Sequence, residues 1–270
     1  MKRSRKMQTA EEPPLTSQQV QKGLSTHTLG KKTICLSTTS STNDEIKKLA
    51  LAGAPDGTVV TAEQQTNGRG RRGHVWDSPS DGGLYFTVLL RAPHLPQPLT
   101  NVTLLSGLAV CNALRENFPV NAQIKWPNDI VIGSKKICGI IAEADLNKDG
   151  SHWVSVGIGI NVNNTSFPKE LMRRATSLQM ETGHPCSRCA VLQRILEQME
   201  PLLENGSLPK RYTELCISLG KEVQFTQDRK RYSGTACGIT QNGELLVKLP
   251  NGQETAVGSG EVIVQGIYGE

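Results

Sequence analysis

No stretch of this sequence stays apolar long enough to cross a bilayer. The longest candidates, such as LTNVTLLSGLAV, carry polar residues and fall short of the roughly 20 residues a spanning helix needs. The chain opens on a basic tail, with Lys2, Arg3, Arg5 and Lys6 beside Glu11, Glu12, Pro13 and Pro14, and no apolar segment follows it. A secretory signal is therefore not expected, and the two glutamates speak against an organelle transit peptide. Charge of one sign is lacking as well. The net charge is +5 over 270 residues and four of the basic groups sit in the tail, so a polycation for nucleic acid is not indicated. The seven cysteines, scattered from Cys35 to Cys237, are odd in number and come without a signal peptide, which fits a reduced, cytoplasmic setting. Cys186 and Cys189 form a C-x-x-C with His184 just before it. No second ligand pair lies nearby, so the expectation is two thiols on the first turn of a helix rather than a zinc site. No internal repeat is apparent.

What is present is a folded chain with 37% hydrophobic and 20% charged residues, long enough for one main domain and a small companion. LTSQQVQKGLST reads as a short capped helix and KKTICLS as a strand. SSTNDEIKKLALAGA opens with Thr42 three residues before Glu45, a capping signature, and continues with Ile46, Leu49 and Ala50 at helical spacing. GTVVTAEQ is a strand, and LYFTVLLR is a nearly all-apolar one that should be buried on both faces. A helix follows, with Thr100 as its expected cap. The run from AQIKWPND to GIGINVN reads as three or four strands joined by turns at IGSKK and NKDG. Residues 188–205 and 207–219 read as amphipathic helices. After Gly220 short strands crowd together, split by QNG and PNG, as in a small all-β module. The division expected is a flexible tail over 1–14, a main domain over 15–219 and a β module over 220–270.

The segment Gly68-Arg69-Gly70-Arg71-Arg72-Gly73 fits the letters G-x-G-x-x-G, but not the chemistry of a dinucleotide site. That site needs its third glycine to open a helix toward the pyrophosphate, and HVWDSPSDGG is a poor helix. No Gly-Lys-Ser/Thr closes the run, so a phosphate-binding P-loop fails too. What remains is a cationic loop between two hydrophobic strands. Its glycines let backbone amides turn toward an anion, and its arginines supply planar donors for phosphate or carboxylate.

The run GRGRRG-x-x-W-x-SP followed by GGLYFTV resembles the signature of biotin–protein ligases, which activate biotin with ATP and attach it to a lysine. STNDE at 41–45, KWPNDI at 125–130, KKICGI at 135–140 and GIGINVN at 157–163 agree in order and spacing. The resemblance spans about 30–266 and implies an α+β fold: a central mixed β-sheet with flanking helices, like class II aminoacyl-tRNA synthetases, then a small β-barrel of the Src-homology-3 kind. Some members begin with a helix-turn-helix repressor domain. Too few residues precede Ser41 to hold one, so DNA binding is not expected.

By the same resemblance, Ser41, Thr42, Asn43 and Gln65 would meet the ureido group of biotin, whose buried polar atoms cost about 1–3 kcal/mol each if unpaired. N-capping is the structural alternative for Ser41 and Thr42. Gly68, Gly139 and Gly157 would let the ligand approach the backbone. Activation drives the biotin carboxylate onto the α-phosphorus of ATP. Two unit charges 4 Å apart repel by about 4 kcal/mol at an effective dielectric of 20, roughly three decades in rate, so cations must converge there. Arg69 is placed near the carboxylate and Arg71 near the phosphates, with Lys136 bridging the two. Arg72, Lys125 and Asn128 join the nucleotide set, Trp76 stacks on adenine, and Asn161 reads its edge. Asp129 either holds Mg2+ or accepts a proton from the attacking lysine, which with a pKa near 10.4 is mostly protonated at neutral pH. Cys138 stands where the family usually has a small apolar residue, and His74 where a basic residue is common. The glycine loop is expected to act as a lid that keeps water off the adenylate. The acceptor would be a biotin carboxyl carrier domain, with no membrane partner, and the sequence leaves open a homodimer or a monomer. The competing readings are a lipoate or octanoate ligase and a non-catalytic protein that binds biotin or nucleotide.

Overall fold

The computed structural model of the chain describes residues 12–92, 94–146, 152–227, 229–258 and 262–268. The tail residues Lys2, Arg3, Arg5, Lys6 and Glu11, and the turn NKDG, lie outside the described residues. Helix α1 (Ser17–Gln21) is closed by a capping box between Thr16 and Gln19. It leads through strand β1 (Thr33–Thr39), helix α2 (Thr42–Leu51) and strand β2 (Val59–Gln65) to strand β3 (Leu84–Leu90), whose seven residues are all buried. Helix α3 (Asn101–Asn117) crosses to an antiparallel run of strands β4 (Ala122–Lys125), β5 (Asp129–Ile132), β6 (Lys135–Leu146) and β7 (His152–Ile160). These seven strands form one sheet in the order β1-β2-β3-β7-β6-β5-β4. Only the β1–β2 pair is parallel, so the sheet is mixed.

The period-2 alternation of β2 and β3 sorts their side chains to two faces. Val59 and Val88 join the large core beneath α3, whereas Val60 and Leu89 pack with Ile46 and Ala50 of α2 and with Trp153. Helices α4 (Leu178–Thr182), α5 (Arg188–Asn205) and α6 (Lys210–Leu215) follow, and α5 packs against α3. The short α4 has no counterpart in the sequence reading, and α6 stops well before residue 219. There the chain turns to lie along β4: Ile217 donates its amide to Ile124 O at 2.9 Å, which a continuing helix would forbid.

Two caps differ from expectation. Ser41, not Thr42, occupies the N-cap of α2, and neither supplies a side-chain cap bond. The Thr42 hydroxyl faces Gln65, and Glu45 binds Thr39 and Lys48 instead of closing a capping box. Thr100 precedes α3 without capping it, and its hydroxyl reaches Asn242 O at 2.8 Å in the second module. Cys186 lies before the N-cap Ser187 of α5, so only Cys189 is on the first turn. The Cys186 sulfur meets the carbonyl of His184 rather than its ring, and among the described residues no group of His, Cys, Asp and Glu gathers to hold a metal.

The second module consists of strands β8 (Glu222–Gln227), β9 (Lys230–Ile239), β10 (Leu245–Lys248), β11 (Glu254–Val257) and β12 (Val262–Val264). They form an antiparallel sheet ordered β11-β10-β9-β8-β12, which does not close into a barrel among the described residues. It docks on the first domain at Trp126, just after β4, whose indole donates to Gly243 O at 2.9 Å, and at Asn101 of α3, which donates to Gln241 O. No helix among the described residues is long and apolar enough to cross a membrane.

Arg188, at the start of α5, is buried and bonded to Glu12 (3.1 Å), Glu63 (2.6 Å) and the carbonyl of Pro13. Glu12, which belongs by sequence to the tail, thereby clamps the entering chain to α5. Arg188→Met would strand Glu63 without its cation, a loss of about 3 kcal/mol. The midpoint of urea unfolding should fall accordingly, and an unchanged midpoint would remove this clamp from the account.

Candidate functional site

A cleft of about 460 Å³ opens over β6 and β7, between the arginine loop, the 166–175 segment and the last residues of the second module. Its floor is made of glycines because two side chains lie flat on the strands. A Cβ at Gly139 would come within 2.9 Å of the Trp76 ring, and one at Gly159 would overlap the indole nitrogen. At Gly157 it would overlap Asn43 Oδ1. Alternate residues of a strand share a face, so glycine is required at all three.

The loop itself is a tight hairpin. Trp76 N donates to Gly68 O (3.0 Å), Gly70 N to His74 O (2.7 Å) and His74 N to Arg71 O (3.1 Å). Arg72 and Gly73 take left-handed conformations at φ 56° and 78°, which makes the turn. The amides of Gly70, His74 and Trp76 are thus consumed inside the hairpin rather than turned toward an anion as expected from the glycines, and the arginines carry the positive charge. Gly68 lies beneath the hairpin, where a Cβ would overlap Trp76 O, and it does not line the cleft.

The other residues assigned to binding or catalysis from the sequence reach this cleft: Ser41, Thr42, Asn43, Gln65, Arg69, Arg71, Arg72, Trp76, Lys125, Asn128, Asp129, Lys136, Gly139, Gly157 and Asn161. The cations arrive with counter-groups. Arg69 Nη2 lies 2.9 Å from Asp44 Oδ1 and 3.0 Å from Glu143 Oε2. Arg71 donates to Asn128 Oδ1 at 3.0 Å, and burial draws its guanidinium below its usual range, helped by Arg72 beside it. Lys136 Nζ sits 2.6 Å from Asp129 Oδ1 and 5.3 Å from the centre of the Trp76 ring. Lys125 approaches the other oxygen of Asp129 at 4.0 Å.

The polar end of the cleft is a network built across elements. Gln65 Oε1 accepts from the amide of Thr42 (2.9 Å) and from its hydroxyl, while Gln65 Nε2 donates to Ser78. Asn43 Oδ1 accepts from the Thr87 hydroxyl at 2.6 Å, and Asn43 Nδ2 donates to Glu143. Asn161 donates to Thr176 O. Buried and without a hydrogen-bond partner among the described residues are Trp76 Nε1 and Arg69 Nε, two donors at the cleft available to an incoming acceptor. Cys138 is wholly buried and its thiol is pushed well above the usual range by desolvation, so it serves as a small apolar residue.

Sequence reasoning missed Asp44, Thr87, Glu143 and Tyr268. Thr87 could have been found, since a hydroxyl in the middle of the apolar strand LYFTVLL needs a buried partner. Tyr268 donates to Asp129 Oδ2 at 2.8 Å across 139 positions of sequence, and nothing local announces it.

A mixed sheet thus carries a cation-ringed cleft and is followed by a β module. Residues 35–161 match the Biotin/lipoate A/B protein ligase family, and residues 218–264 match the Biotin protein ligase C terminal domain. A bifunctional ligase/repressor BirA of Bacillus spizizenii is 34% identical over 247 residues, covering 88% of this chain and 76% of the relative. A biotin--[acetyl-CoA-carboxylase] ligase of Mycobacterium tuberculosis is 30% identical, covering 83% of this chain and 86% of the relative. Among solved structures, a biotin protein ligase from Aquifex aeolicus in complex with biotin and ATP superposes with a TM-score of 0.74 at 33% identity, covering 87% of this chain and 99% of that one. The chain belongs to the biotin protein ligase family, whose members are ligases that form a C–N bond.

Gly159→Ala should lift the Trp76 indole off the strands. Tryptophan emission is expected to shift to the red, and the shift should vanish when Trp76→Phe is added. A shift that persists in the double variant would place the disturbance elsewhere.

Proposed function

We propose that this chain condenses biotin with ATP to biotinoyl-5′-AMP, releasing pyrophosphate, and then transfers the biotinoyl group to a lysine of a biotin carboxyl carrier domain. The observation that carries this reading is the convergence of Lys136, Lys125, Arg69 and Arg71 on one glycine-floored cleft. In the first step a carboxylate oxygen of biotin bonds to the α-phosphorus, and the bond from that phosphorus to the β-phosphate oxygen breaks. Lys136, in reach of both anions, offsets their repulsion, which is the largest barrier the site has to lower. Arg69 takes the biotin carboxylate by exchanging it for Asp44 and Glu143, so one set of carboxylates replaces another and the guanidinium is never left bare. Arg71 faces the phosphates. Asn43, Thr42 and Gln65 meet the ureido ring, and the indole of Trp76 flanks the adenine. In the second step the lysine amine bonds to the acyl carbon, AMP leaves, and the amine loses a proton to Asp129 or water.

Magnesium belongs to this chemistry as the partner of the nucleotide. Asp129 is the carboxylate of the cleft nearest Lys136, and one carboxylate together with phosphate oxygens is a donor set that Mg2+ accepts. Once bound, the ion would neutralise phosphate charge; where Asp129 holds it, the proton of the attacking amine would pass to water instead.

Incubation with biotin, ATP, magnesium and a biotin carrier domain should add one biotinoyl group to the carrier, read by intact mass. Lipoate in place of biotin should add nothing. Lys136→Ala should cut biotin-dependent pyrophosphate release by about a hundredfold or more. Arg71→Ala should slow the same step and let adenylate leak into solution before transfer. An unmodified carrier with no pyrophosphate released would reject the reading.

A further inference from the structure

The second module does more than cap the first sheet: its last described residues enter the cleft. Val262 and Ile263 line it, and Tyr268 reaches its ionic centre. Three groups from three parts of the chain hold the two oxygens of Asp129. Lys136 of β6 takes Oδ1 at 2.6 Å. Tyr268 donates its hydroxyl to Oδ2 at 2.8 Å, and Lys125 of β4 stands 4.0 Å from that same oxygen. Lys125 is itself fixed from the second module, with its ammonium 4.9 Å from the centre of the Tyr268 ring and 3.4 Å from Val262 O.

The backbone of Tyr268 shows that this placement is enforced. Its amide donates to Ser134 O at 3.0 Å, on the turn between β5 and β6, and its φ of 62° lies where a residue with a Cβ is seldom found. A conformation of that kind persists only where its surroundings demand it. Here the demand comes from both ends of the residue, its amide on the turn and its phenol on the carboxylate. Tyr268 lies beyond both family-matched spans, 35–161 and 218–264.

We propose that Tyr268 is a positioning residue for the ligase reaction: it orients Asp129, and through it Lys136, so the ionic centre is complete only when the second module is docked. The inference rests on the proposed function. A carboxylate pulled on one oxygen by a lysine is free to rotate about its own axis. A donor on the second oxygen stops that rotation and sets the line along which Lys136 meets the α-phosphate. The phenol does this without adding a charge, which leaves the cationic balance of the site to the lysines and arginines.

The test is a double-mutant cycle on the full chain, with Tyr268→Phe, Asp129→Ala and the pair, read by single-turnover adenylate formation. Tyr268→Phe keeps the ring over Lys125 and removes only the hydroxyl. It should lower the rate about tenfold at saturating biotin and ATP, with the KM values within about twofold of wild type. In the Asp129→Ala background the same change should have no further effect, because the acceptor of the hydroxyl is already gone. If thermal stability falls in the phenylalanine variant, the cycle still decides, since a purely structural effect would persist in full after the carboxylate has been removed. An active wild type with a Tyr268→Phe rate equal to it, or with rate losses that add in the double variant, overturns this proposal alone. A wild type with no biotin-dependent adenylate overturns the proposed function instead.

Discussion

Asp129 and Lys136 are held 2.6 Å apart on neighbouring strands, and much of the site can be understood from the need to keep that pair in place. Cations gathered around one cleft repel one another. Each therefore stands beside a carboxylate or amide: Lys136 and Lys125 on Asp129, Arg69 on Asp44 and Glu143, Arg71 on Asn128. These partners also limit the reorientation required when the substrates bind, and preorganised charge of that kind is a large source of rate enhancement. Truncating a buried counter-group would leave a cation with poor solvation, which is why such pairs are costly to break even where forming them gains little.

Geometry comes from the sheet. Residues 129 and 139 face each other across β5 and β6, and a register shift between Ile130 and Val131 brings Lys136 opposite Val131. That bulge re-aims the lysine toward the cleft, the usual use of an extra residue in an antiparallel pair. The glycines of β6 and β7 then let Trp76 and Asn43 lie directly on the backbone. A wall of side chains there would raise the floor by the thickness of a methyl group or more, and the cleft would close.

The motifs that could be read from sequence were those whose partners lie a few residues away. The arginine loop, KWPND and GIGIN each carry their geometry within a strand and its turn, so their residues could be assigned to one site from the sequence. A second module was expected because strand spacing tightens after Gly220. What failed were choices settled by distant partners. Thr42 and Glu45 have the letters of a capping box, but Thr42 finds Gln65 and Thr87, and Glu45 finds Thr39. A buried hydroxyl offered a side chain from another strand outcompetes a local cap, since leaving that partner unpaired costs more than a solvated helix end. Arg69 likewise pairs with Glu143, 74 positions away, a carboxylate no local pattern would single out.

Tyr268 is the extreme of the same effect and ties the two modules into one chemical unit. The docking contacts at Trp126 and Asn101 bury surface and satisfy backbone carbonyls, as an interface between domains ordinarily does. They fix where the second sheet lies but do not reach the reacting atoms. The segment after β12 converts that placement into chemistry, because the hydroxyl meeting Asp129 is carried on the same few residues as the carbonyl of Val262 that receives Lys125. A small displacement of the module would therefore loosen a lysine and a carboxylate together. Hydrogen bonds weaken steeply with misalignment, so the coupling is sharp, and the charge array of the first domain depends on contacts made by the second.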